Sequence, residues 1–121
     1  MRYFMSIIPP ADLKPEDVPQ QLMDAMGPWM EKCLADGSLV STAGLKPQAE
    51  GIRLSGENGT GTPTDGPYAE AKEVLGGYAV LEAADLKAAS VLAGEFLQLH
   101  IDNGVPKIVL ELRQIAGGVN Y

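Results

Sequence analysis

The chain has 121 residues, one domain's length, and carries nine Lys and Arg against 16 Asp and Glu for a formal net charge of −7. Its cations stand singly along the chain, which argues against direct contact with nucleic acid, where phosphates require basic groups clustered on one face. One Cys and one His exclude an intramolecular disulfide, a zinc site built on paired cysteines and a cluster of imidazole ligands.

Taken in order, Tyr3 to Ile8 is an apolar run stopped by Pro9 and Pro10 and predicts a buried first strand. The same stretch is shorter than a secretory signal, and no run nears the roughly 18 apolar residues of a membrane span. A cytoplasmic protein without membrane contact is expected. Val18, Leu22, Met26, Met30 and Leu34 then recur every fourth residue, predicting an amphipathic helix from Glu16 to Asp36 that Gly37 stops and Pro28 kinks. Met, Trp29 and Cys33 on that stripe read as core.

Leu39 to Ala43 reads as a second strand. Eight of the 14 glycines fall between Gly44 and Gly77, the mark of turns rather than helix. Gly51–Ser55 and Thr60–Thr64 predict a hairpin turning through Gly56-Glu57-Asn58-Gly59. Gly77–Glu82 is a further strand, and Asp85 an N-cap for a helix from Leu86 to Leu99. After the break at Asn103-Gly104-Val105-Pro106, Lys107–Ile115 gives the last strand. The expected domain is 1–115, with 116–121 a flexible tail.

The order β-α-β-hairpin-β-α-β, with two amphipathic helices needing one sheet face, predicts an α+β, ferredoxin-like split βαβ arrangement with an inserted hairpin. Ile108, Leu110 and Leu112 should face the helices, and Val109, Glu111 and Arg113 the other side. That second face, with Phe4 and Tyr78 on it, would be an exposed apolar patch. Pairing two such faces covers it, so a homodimer is expected.

The stretch Thr64-Asp65-Gly66-Pro67-Tyr68-Ala69-Glu70-Ala71-Lys72-Glu73-Val74-Leu75-Gly76-Gly77-Tyr78 closely resembles the Asp-Gly-Pro-Phe-Ala-Glu-Thr-Lys-Glu signature of the YCII-related proteins, in their DGPF branch. Tyr68 stands for Phe and Ala71 for Thr. Met26-Gly27, Gly44-Leu45-Lys46-Pro47 and Glu111-Leu112-Arg113 run in the family's order, so the resemblance spans Arg2 to Ile115. Gln114 replaces the family's usual Pro, and His100-Ile101 its frequent His-Pro. The resemblance implies a dimeric α+β barrel of two ferredoxin-like sheets. Some relatives resemble small enzymes with a His–Asp pair, one of them a dehydrochlorinase. Other DGPF members are linked with alternative sigma factors, which implies a protein partner in transcription initiation.

Several residues carry two readings each. Asp65, Glu70 and Lys72, with Tyr68 and Glu73 beside them, are either a turn cap and ion pairs on a helical turn that ends at Gly76, or the mouth of a cleft. In the cleft, Asp65 or Glu70 would be a catalytic base, and Lys72 would bind an anionic group. Glu111 and Arg113 are either an ion pair across a dimer or part of a ligand-binding site in which Arg113 holds a carboxylate or phosphate through its bidentate fork, and Arg53 is a weaker candidate for that task. His100 is either a cap on its helix C-terminus, where the dipole favours a proton, or a catalytic group beside a carboxylate. No nucleophile elbow, phosphate loop or metal ligand set is present, and no cofactor is implied. Two function classes follow: a small-molecule-binding acid–base enzyme dimer, or a non-catalytic dimeric module that binds another protein. The first predicts a concave, partly apolar pocket in each protomer.

Overall fold

The computed structural model describes residues 1–10, 15–66 and 74–119. In chain order the elements are β1 (Arg2–Ile8), α1 (Gln20–Asp36), β2 (Leu39–Gly44), β3 (Ile52–Glu57), β4 (Thr60–Asp65), β5 (Gly77–Glu82), α2 (Leu86–Asp102) and β6 (Val109–Gln114), with single 3-10 turns at Pro15–Asp17 and Gln48–Glu50. β1, β2, β5 and β6 form one antiparallel sheet in the order β2-β5-β1-β6. β5 therefore lies between the two strands joined by α1, and β1 between the two joined by α2. This interleaving is the split βαβ of a ferredoxin-like α+β fold. β3 and β4 form the separate inserted hairpin.

Strand register sorts the side chains into two faces, because directly paired residues share a face and neighbours along a strand alternate. Met5 lies between Ala79 and Leu112, and Tyr3 opposite Leu81. These residues face the helices and make the core with Cys33, Leu39, Ala89, Ala93 and Phe96. Leu110 and Leu112 pack against that cluster, while Glu111 and Arg113 are exposed on the outer face. The alternation expected for the last strand is the one observed. Phe4 and Tyr78 stack on the outer face, with ring centroids 5.6 Å apart and planes 11° from parallel.

The helices depart from expectation at their ends. α1 starts at Gln20 rather than Glu16, because Pro19 is in extended backbone at its N-cap, with φ −63° and ψ 137°. Pro15–Asp17 forms a separate turn ahead of it. Gly37 ends α1 with φ 83°, a left-handed conformation that glycine adopts without a Cβ penalty. Asp85 caps α2 as expected, its carboxylate accepting from the Ala88 amide at 2.8 Å. α2 then continues three residues past Leu99, which carries His100 into its last turn.

In the hairpin, Asn58 and Gly59 both have positive φ, 51° and 80°, the two-residue turn that matches strand twist. All residues of β3 and β4 are exposed. At its base the Gly66 amide donates to the Gly51 carbonyl at 3.0 Å. A Cβ on Gly66 would overlap the Gln48 carbonyl. The glycine of the Asp65-Gly66-Pro67 stretch thus answers a close backbone approach. Among the described residues, no helix is long and apolar enough to cross a membrane.

Candidate functional site

One end of the space between sheet and helices is not filled. There a cavity of about 440 Å³ is lined by Leu22, Met23, Met26 and Met30 of α1, Phe96 and His100 of α2, and Val105, Pro106 and Ile108 of the loop before β6. Strand ends close its floor at Ile7, Thr42–Gly44 and Gly76–Gly77. A volume of this size lies in the range of small-molecule sites. The floor is tight: a Cβ on Gly77 would stand 2.9 Å from the Ala43 carbonyl, and one on Gly76 2.6 Å from the Pro9 ring.

The stripe that reads as core in the sequence divides here. Cys33 is buried in the core, whereas Leu22, Met26 and Met30 line the cavity, the two Met residues also packing against the core. Met side chains, unbranched and polarizable, suit a wall that must adapt to an occupant.

His100 is the buried polar residue of the described core, only 7% exposed. It is held twice. Its backbone carbonyl accepts from the amides of Asn103 and Val105, at 3.3 and 3.1 Å, as the chain turns back through Gly104 with φ 88°. Its ring Nδ1 lies 2.8 Å from the Phe96 carbonyl. A carbonyl only accepts, so Nδ1 carries the hydrogen and donates it, and the neutral ring keeps its lone pair on Nε2. Burial pushes the imidazole pKa below its ordinary value, against the smaller opposing effect of the Phe96 carbonyl. At neutral pH the group is therefore an uncharged acceptor and a base.

Nε2 has no hydrogen-bond partner among the described residues. It is also not sealed in protein, since every buried side-chain nitrogen and oxygen among those residues has a partner. His100 is among the residues that line the cavity. The expected cap at a helix C-terminus is replaced by a buried ring on the core side. Sequence spacing held the signal: Ala89, Ala93, Phe96 and His100 follow the 4-3-4 interval of one helix face.

Of the other residues singled out in the sequence, Asp65 ends β4, exposed and paired across the hairpin with Ile52. Glu111 and Arg113 lie on the outer sheet face opposite Ser6 and Phe4, on the far side of the sheet from the cavity. Arg53 is in β3, across from Thr64. Tyr68, Glu70, Lys72 and Glu73, with the helical turn expected there, lie outside the described residues. The structure thus brings His100 to the cavity and keeps Asp65, Glu111 and Arg113 away from its lining. Asp17, which sequence reading passed over, is the carboxylate among the described lining residues. Nothing in its local sequence separates it from Glu16 beside it.

The model of the YCII-related domain matches residues 1–95. No curated protein matches the chain.

Proposed function

The chain belongs to the YCII-related family, and from that premise we propose that it is a homodimer whose protomers each bind a small molecule in the cavity at His100, with the imidazole as the acid–base group. The observation that carries the reading is the meeting of an apolar cavity of about 440 Å³ with a buried, neutral His. Such a base does its work when a substrate proton comes within hydrogen-bond reach of Nε2. The Thr64–Tyr78 stretch supports placing the chain in the DGPF branch.

A ligand that binds only the folded state raises the melting temperature by mass action. Small neutral aromatic and aliphatic compounds are expected to include some that do so at millimolar concentration. Val105→Phe, which fills the cavity from the loop, should abolish that effect. Equal effects on the variant would place the binding elsewhere, and no effect from any compound would overturn the reading.

The outer sheet face supports the dimer, since Phe4 and Tyr78 stack there, half-buried, on the face that also carries Val109. Sedimentation should give twice the chain mass of 12.8 kDa. Tyr78→Glu puts an unpaired charge into that contact and should return the single-chain mass. A wild-type monomer at micromolar concentration would contradict the dimer.

A further inference from the structure

The polar groups around the cavity narrow the chemistry of the ligand it can hold. Nε2 of His100 presents a lone pair, because Nδ1–H is committed to the Phe96 carbonyl 2.8 Å away. The hydroxyl of Thr42 is committed as well, donating to the Tyr78 carbonyl at 2.9 Å. Leu22, Met26, Met30, Val105 and Ile108 add walls of hydrocarbon and thioether. A molecule that fills this space keeps water away from Nε2. A wholly apolar occupant would leave that acceptor without a partner, and an unpartnered buried acceptor costs free energy. An anion would bring further lone pairs to it, and the charged side chain among the described lining residues is the carboxylate of Asp17.

Resting on the cavity reading, we propose that the ligand is a neutral molecule with an apolar ring or chain body and an N–H or O–H donor, delivered to Nε2 of His100. Specificity then comes from the match of donor to acceptor, because a site that hydrogen-bonds a polar hydrogen discriminates against the isostere that lacks it. Apolar bulk sets how deep the molecule sits, and the imidazole sets which end goes in first.

Indole and benzofuran test this directly. They have nearly the same shape, and only indole carries a donor, one that cannot also accept. Titrations of 15N-labelled protein would be followed at the His100 ring nitrogens and at the Trp29 indole. Trp29 is the single tryptophan, and its ring lies 5.5 Å from that of Phe96 in the cavity wall. Indole is expected to bind at least tenfold more tightly than benzofuran, and indole alone should shift the Nε2 resonance. In His100→Phe the two affinities should come within about twofold, while His100→Gln, which can still accept, should retain a preference for indole.

Equal affinities in the wild type would overturn the donor assignment and leave the cavity reading standing. Tighter binding of benzoate than of indole would overturn it in favour of an anion site. Binding of none of the three at millimolar concentration would overturn both readings. If His100→Phe does not fold, the wild-type affinity ratio and the Nε2 shift decide.

Discussion

Phe96→Ala is expected to lower stability by about 3–5 kcal/mol, the usual cost of removing a buried aromatic ring. Phe96 is 3% exposed, and its ring centroid lies 5.5 Å from that of Trp29 and 4.5 Å from that of His100. The residue supports the wall of the cavity, so truncation joins new empty space to space already there. Little collapse can relieve it, which places the cost toward the upper part of that range. In a domain of this size the melting temperature should fall by roughly 10–25 °C. Leu81→Ala is the comparison, because Leu81 is 1% exposed in the core but does not line the cavity. Urea unfolding should show a loss of about 2–5 kcal/mol for Leu81→Ala. The two variants should differ in binding: at a temperature where both are folded, Leu81→Ala keeps ligand affinity and Phe96→Ala changes it. A Phe96→Ala loss below about 1 kcal/mol would contradict the described core.

The second large effect is on pH dependence. Burial lowers the pKa of His100 in the folded chain below the ordinary 6.5 that applies when the chain is unfolded. Between those two values the unfolded chain binds a proton that the folded chain does not. Stability therefore rises with pH in that window, by at most about 1.4 kcal/mol per pH unit. This contribution is fully present above pH 6.5 and is lost as pH falls toward the folded pKa, below which the group adds no further slope. His100→Phe cannot titrate, so the difference in unfolding free energy between wild type and variant isolates the effect. That difference should be constant above pH 6.5 and move in favour of the variant below it. The acidic groups with lowered pKa, Asp36 through its bonds from Ser38 and Glu82 through the amino terminus, are exposed and common to both proteins, so they cancel. A difference that does not vary with pH would mean that the ring titrates alike in folded and unfolded chains.

The sheet was legible in the sequence because period-two alternation and turn residues are local signals. Leu110 and Leu112 against Glu111 and Arg113 told the faces of β6 apart, and Asn58-Gly59 marked the hairpin turn. Asp85 and Gly37 marked helix ends for the same reason. Pro19 was harder, since proline suits both a first helical turn and the extended residue before it, and its ψ decides between them. The cavity was not legible. Apolar residues on a helix stripe declare that they are shielded from water, not whether the shield is protein or an empty volume, so Met26 and Met30 looked the same as Cys33. His100 lay between these cases. Its place on the face of Ala93 and Phe96 could be counted, but only the extension of α2 to Asp102 put that face against the cavity.

The topology also sets when this protein can fold. β1 comes first among the strands, yet it sits inside the sheet and is flanked by β5 and by β6, whose partners for it lie at least 70 and more than 100 positions later. A chain emerging from the ribosome at about 5–20 residues per second therefore carries β1 unpaired at least until β5 has been made. The α1 segment and the hairpin can form early on local contacts, but the sheet cannot close until β6 is released. Closure is then a long-range event of the kind that slows folding, because loop entropy is lost before the contacts are gained. Tyr3, Phe4 and Met5 are exposed during that interval, which makes β1 the strand in greatest need of protection during synthesis.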